Sequence, residues 1–268
     1  MPKSSKTISN PQAMATVLAK LPGLAQRAGL PAKDSVAAVT TIGTKFTIIH
    51  TTELDAYEKG AMGPGLALAK AALPKAPTGD NYAGTARKAA KLSISAAKTE
   101  NFKDVQALVK SLVSDAKMIA HKPKITTTAT SKRVKEEERN VHVTAFMYAA
   151  SREADNDFHL IIGRDLKSTP EMYMTMELSG LPPAGSPSSK QLKTARDAFK
   201  KFFKDIGGNL PGLTYDFYHP PIPVQIDGSL FFDMNHAKPP HPGPPSLKSR
   251  MPTIWEIHPI TKIVLKKP

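Results

Sequence analysis

The chain has 268 residues, no cysteine, and 37 Lys+Arg against 23 Asp+Glu, a net charge of +14. Without cysteine there is no disulfide, thiolate nucleophile or Cys-based zinc site, and no stretch approaches the roughly 18 apolar residues of a membrane span. The opening MPKSSKTISNPQAM lacks the apolar run of a signal peptide, so a cytoplasmic protein is expected.

The basic excess is uneven: residues 1–130 carry 18 Lys+Arg against 8 Asp+Glu, and 16 of those 18 are lysine. Such a balance suits a polyanionic partner, nucleic acid or anionic lipid. Few arginines and no interleaved aromatics argue against base reading. A lysine-rich solvated surface is the alternative.

In chain order, Ser9-Asn10-Pro11 marks a helix start, with a capping side chain ahead of proline at the first helical position. Met14, Val17, Leu18, Leu21 and Leu24 follow at the spacing of one helix face, and Gly29 and Pro31 close it. The Val/Ile/Thr-rich run from Ser35 to Thr52 predicts a strand, or a hairpin bent near Gly43. Residues 56–73 suggest short helical pieces broken at Gly63-Pro64-Gly65. Two helices are expected next, from Thr85 to Ala97 and from Asn101 to Ala120. The second carries an apolar stripe of Val105, Leu108, Val109, Leu112, Val113 and Ile119. The polar stretch from Lys122 to Ser131 reads as a linker or one more strand, placing a boundary between a mainly helical, lysine-rich domain (1–130) and a second domain (131–268).

The second domain changes character. RNVHVTAFMYAASRE and FHLIIGRD are strand patterns joined by the turn cluster ADND, and MYMTMELSG is a third strand ending at Gly180. After a Pro/Ser loop, Ser188-Ser189 opens a helix with Leu192, Ala195, Phe199, Phe202 and Phe203 on one face and lysines on the other. Gly207-Gly208-Asn209 ends it. IPVQIDGSLFFD is a fourth strand with a bulge at Asp227-Gly228, and TIWEIHPITKIVL a fifth. The order β-β-β-α-β-β predicts a five-stranded OB-like barrel beside the helical domain, an α+β chain overall.

The segments VHVTAFMYAASREADNDFHLIIG, LFFDMNH and TIWEIHPITKI resemble a pattern in poorly characterised bacterial proteins. There a Glu-Ala-Asp-x-Asp turn leads to aromatic-His-Leu, then to Phe-Phe-Asp-x-x-His and Glu-x-His-Pro steps. The resemblance covers residues 141–178 and 222–265; it implies an OB-like barrel and no activity. The acidic hairpin is also similar to that of the thermonuclease fold. Its expected arginine partners are missing beyond Arg152 and Arg164, so nuclease activity by that route is not expected.

Chemistry could gather on two strands. Asp233 and His236 lie three apart after the fourth strand, while Glu256 and His258, two apart in the fifth, share one sheet face. Imidazole and carboxylate together suit a divalent metal with an open position for water, and His241 might be a further ligand. The bland alternative is a capped turn at Asp233–His236 and a strand end at His258. His159 should point away from Phe158 and Leu160, into solvent or a groove. Trp255 could pack in the core or offer a stacking platform to a ligand. Asp155-Asn156-Asp157 reads as a tight turn and lacks the spacing of a calcium loop. No Walker-type phosphate loop and no GxSxG elbow is present. Two functions follow: a non-enzymatic binding protein for nucleic acid or another polyanion, or a metal-dependent hydrolase built on Asp233, His236, Glu256 and His258.

Overall fold

The computed structural model describes residues 5–21, 29–44, 46–55, 79–237 and 242–267. Among them nine strands form one mixed sheet in the order β1-β2-β3-β8-β9-β7-β6-β5-β4, with β8 also pairing to β5. The strands are β1 (Ser5–Ile8), β2 (Val36–Ile42), β3 (Phe46–Thr51), β4 (Thr99–Phe102), β5 (Asn140–Arg152), β6 (Phe158–Gly163), β7 (Tyr173–Leu178), β8 (Asp216–Phe232) and β9 (Trp255–Leu265). The helices are α1 (Pro11–Ala19), α2 (Lys88–Lys91), α3 (Val105–Lys110), α4 (Asp115–Ile119) and α5 (Ser189–Ile206). None among the described residues is long and apolar enough to cross a membrane.

The expected architecture, a mainly helical front domain beside a five-stranded OB-like barrel, is therefore corrected. The β2–β3 hairpin extends the sheet through β3 onto the first residues of β8, and β4 adds in parallel to the start of β5. Strands β5, β6, β7, β9 and β8 do pair in a cycle, but within a nine-stranded sheet fed from both sides of position 130. The helix expected over Thr85–Ala97 shrinks to the single turn of α2, and the one over Asn101–Ala120 becomes β4, α3 and α4. Tertiary pairing overrides propensity here: an Ala/Lys-rich stretch favours helix in isolation, yet residues 99–102 satisfy their backbone against β5 instead. The apolar stripe still serves burial, since Val105, Leu108 and Met118 are core residues with Val109, Leu112 and Val113 packed against them. The helical pieces expected over 56–73, and Leu24 of the first helical face, lie outside the described residues.

Where local signals were strong, they are realised. Asn10 accepts hydrogen bonds from the Gln12 and Ala13 N–H groups ahead of α1, and Gly43 bends the β2–β3 hairpin at φ +63°. Helix α5 buries Leu192, Ala195, Phe199, Phe202, Phe203 and Ile206, its Phe199 ring 5.0 Å from that of Phe158. Strand β8 starts earlier than the pattern suggests, drawing Phe217, Tyr218 and His219 into the sheet. Its register against β9 shifts on either side of Gly228, where a side chain would lie 2.5 Å from the Pro259 carbonyl and against Ile257.

The main core lies on one side of β6, β7 and β9, filled by Phe158, Leu160, Ile162, Met174, Met176, Leu178, Trp255 and Ile257 together with α5. Strand alternation then sends His159, Thr175, Glu177, Glu256 and His258 to the other side. That side is not solvated: each of these residues is almost wholly buried.

Candidate metal centre

Register brings the polar side chains together. His159 of β6 stands opposite Glu177 of β7, and Met176 aligns with Ile257, which sets Glu177 beside Glu256 and His258 of β9. The hairpin between β5 and β6 adds Glu153 and Asp157. Segments distant in sequence close over this face: Asp55 after β3, Lys91 of α2, Tyr215 before β8 and Asp233 after it.

The atoms crowd together. His258 Nδ1 lies 2.5 Å from Glu177 Oε2, a close histidine–carboxylate pair, and 3.7 Å from Glu256 Oε2, while its Nε2 lies 3.5 Å from Asp157 Oδ2. Both nitrogens of His258, both carboxylate oxygens of Glu256, Glu177 Oε2, Asp157 Oδ2 and His159 Nε2 are buried with no hydrogen-bond partner. Buried polar atoms are rarely left so, and each costs about 1–3 kcal/mol when it is. His159 Nε2 and the Glu256 oxygens among them are of the kinds that ligate a divalent cation. Ligand atoms of His159, Glu177 and Glu256 lie within 4.8 Å of one another, as do those of Asp157, Glu177 and His258.

His159 is oriented from behind. Its Nδ1 is 2.8 Å from Glu153 Oε1 and 2.9 Å from the Tyr215 hydroxyl, which donates to Asp55 at 3.2 Å. Asp55 is itself held by the Gly243 N–H at 2.6 Å. With Nδ1 occupied by a carboxylate, Nε2 faces Glu177 Oε1, 4.0 Å away. A carboxylate behind a histidine is how metal-ligating imidazoles are oriented and made more basic.

Carboxyl groups outnumber basic ones in the cluster. Lys91 contributes one ammonium, 3.5 Å from Glu177 Oε2 and 4.0 Å from Asp157 Oδ2. Burial opposes its charge, but Glu177, Asp233, Asp155 and Asp157 outweigh burial and hold its pKa well above the ordinary value. Burial also works against an ionised Glu177, yet His258, Lys91 and His159 keep its carboxyl well below the usual range. The remaining carboxyls are driven the other way. Burial pushes Asp157 and Glu256 well up, reinforced by Asp155 and Glu177 for the first and by Glu177 and Asp233 for the second. Burial likewise lifts Glu153 to about 8, against the attraction of His159. His159 is raised to about 9: burial opposes its charge, and Glu153, Asp55 and Glu177 overcome it. Burial lowers His258, leaving a neutral imidazole. Burial and neighbouring carboxylates thus favour the protonated forms of Asp157 and Glu256, whereas a divalent cation would favour the ionised ones.

Of the residues singled out from sequence, His159, Glu256 and His258 meet in this cluster. His159 points away from Phe158 and Leu160 as expected, but into a covered polar layer rather than solvent. Asp233 and His236 lie at its edge: their ligand atoms come within 4.8 Å of each other and of Glu256. Asp233 also caps the turn Met234–Ala237, accepting the Asn235 N–H at 2.8 Å. Trp255 is on the opposite side, buried, its indole N–H donating to the Val113 carbonyl at 2.8 Å and its ring edge-on to Phe232. His241 lies outside the described residues.

Sequence reasoning missed Glu177, Lys91, Glu153 and Asp55, and read Asp157 only as part of a turn. It is both: Asp155 accepts the Asp157 N–H at 3.1 Å, and Asp157 in turn accepts the Gly180 N–H at 2.6 Å. Glu177 left one usable signal, a lone carboxylate between Met176 and Leu178 in an otherwise apolar strand.

The lysines of α5 are partly engaged. Lys193 pairs with Asp197 and Lys201 with Asp205, each one turn along the helix, and Lys200 joins Arg196 on Asp80.

No family model, no curated protein and no solved structure matches the chain. The likeness noted in the sequence rests on the quoted segments alone, and the site has to be read from its own chemistry.

Proposed function

We propose that the protein is a metal-dependent hydrolase whose metal ion is a divalent transition metal held by His159, Glu177 and Glu256. The observation that carries this reading is that His159, Glu177 and Glu256 offer ligand atoms within 4.8 Å of one another, with His159 Nε2 and both Glu256 oxygens buried and without a hydrogen-bond partner. Imidazole with carboxylate and no thiolate suits zinc, manganese or iron rather than copper(I) or an iron–sulfur cluster. Three protein ligands leave a coordination position for water, the arrangement of catalytic rather than structural zinc sites.

The metal would lower the pKa of a bound water. His258, neutral and adjacent to Glu177, is placed to accept a proton from that water, and an ester, amide or phosphoester would be the centre attacked. The leaving group departs with a proton returned from His258, so protons balance over the cycle. Lys91 supplies a fixed positive charge for an oxyanion that develops at the site.

The test is elemental analysis of tag-free protein, followed by titration of chelator-treated protein with Zn²⁺, Mn²⁺ and Fe²⁺. Bound metal in the wild type, its loss in His159→Ala and Glu177→Gln with the circular dichroism spectrum retained, and metal-dependent cleavage of nitrophenyl esters or phosphates would support the reading. Failure of the wild type to take up any of the three ions would overturn it.

A further inference from the structure

Glu256 belongs to two groups of ligand atoms at once. One is His159, Glu177 and Glu256; the other is Asp233, His236 and Glu256. The second group is set by local structure at the end of β8. Phe231 pairs with Glu256 across the β8–β9 ladder, so Asp233, two residues on, emerges on the same side of the sheet as Glu256. The turn Met234–Ala237 then folds His236 back, its N–H donating to the Asp233 carbonyl at 3.0 Å. Asp233 Oδ1 is held by the Asn235 N–H, and Asp233 Oδ2 lies 3.6 Å from His236 Nε2. That separation is long for a hydrogen bond. It suits two ligands of one ion, since metal–ligand bonds of about 2.0–2.2 Å hold neighbouring ligand atoms roughly 3–4 Å apart.

Glu256 is placed to join the two groups. It is wholly buried and neither of its oxygens has a partner, so a carboxylate with two free oxygens faces two sets of ligands. Glu177 is also shared, between the first group and Asp157 with His258. There, however, Lys91 already stands 3.5 Å from Glu177 Oε2 and 4.0 Å from Asp157 Oδ2, and its ammonium opposes a second cation. Lys91 acts by charge on Asp233 as well, but the side-chain oxygens of Glu256 that face Asp233 and His236 carry no hydrogen bond.

We infer that the centre takes two divalent ions, one on His159 and Glu177 and one on Asp233 and His236, bridged by the Glu256 carboxylate. This inference rests on the metal reading above and extends it. A pair of ions about 3.5–4 Å apart can hold both the attacking and the leaving oxygen of an in-line displacement, which makes a phosphoester the substrate class such a centre serves.

The experiment is titration of chelator-treated protein with Mn²⁺, read by calorimetry and by electron paramagnetic resonance. Wild type is expected to bind two equivalents, with a spectrum broadened by exchange between neighbouring ions. His236→Ala should bind one equivalent with the uncoupled six-line Mn²⁺ signal. Asp233→Asn should do the same and serves as the second variant if His236→Ala does not fold. Glu256→Gln should abolish the coupling. A single equivalent in wild type, retained by His236→Ala and lost by His159→Ala, would overturn the second ion and leave the first standing. No uptake at all would overturn both.

Discussion

Two buried groups of charges lie close together in this molecule, and they are built on opposite plans. In the first, Arg87 lies flat against Glu137 with paired contacts of 2.6 and 2.8 Å, and its remaining donors reach the carbonyls of Phe232 and Lys132. Glu137 also accepts the N–H groups of Phe232 and Val134, so that only Arg87 Nε lacks a partner. In the second, His159, Glu177, Glu256, His258 and Asp157 crowd together with most of their facing atoms unbonded. Burial is equal in the two; satisfaction is not. A closed network fixes the segment around residue 87 to the end of β8, which is a structural task. The open one is the group to which the proposed metal is assigned.

The largest test of that contrast breaks the closed pair. Glu137→Ala strands the Arg87 guanidinium and should lower unfolding free energy by about 3–5 kcal/mol, measured by urea denaturation. A loss below about 1 kcal/mol would mean that the pair is not a structural anchor.

Next in size is the effect of filling the open group. Metal at one hundred times its dissociation constant should stabilise the wild type by about 2.7 kcal/mol, seen as a rise in melting temperature. His159→Ala should show a smaller rise, while Arg87 and Glu137 are untouched by metal.

The third test is pH. His159, held up to about 9 by Glu153, Asp55 and Glu177 against burial, must give up a proton to ligate metal. Raised above its ordinary value, it binds that proton in the folded protein throughout the window from about 6.5 to 9. Metal affinity should therefore rise with pH in that window, roughly tenfold per unit for each proton displaced. The metal-free protein should lose stability over the same range, because the favourable charged state of His159 disappears as pH passes about 9. A flat affinity profile from calorimetry would show that His159 is not a ligand.

The smallest expected effect is the most discriminating. Glu256→Gln removes a carboxyl that burial already drives toward its protonated form. Metal-free stability should change by less than about 0.5 kcal/mol or increase, since a buried unpaired ionisable group contributes little to folding. A structural residue as buried as Glu256 would behave like Glu137 instead.

Much of the candidate centre could be read in advance because strand alternation is a local rule. Glu256 and His258 two apart in one strand, and His159 between Phe158 and Leu160 in another, had to share faces opposite the core. What could not be read is the cover. Lys91, Asp55 and Tyr215 reach the cluster across wide sequence gaps, and no periodicity links positions brought together by tertiary packing. Lys91 was hidden further by composition, as one lysine in a stretch rich in them. The same stretch misled on architecture: Ala and Lys between 85 and 120 favour helix locally, whereas the open edge of β5 recruits residues 99–102 as a strand. Trp255 shows the limit of residue type as a guide, for its neighbour Glu256 faces the centre and the indole faces Val113.

The shift of register at Gly228 has a consequence for how finely the centre is tuned. Glu256 and His258 reach it only because β9 passes close to β8 at a position with no side chain, where an added methyl would meet Ile257 and the Pro259 carbonyl. A single carbon there would push on the backbone just beyond His258, so that one absent atom on β8 sets where Glu256 and His258 stand.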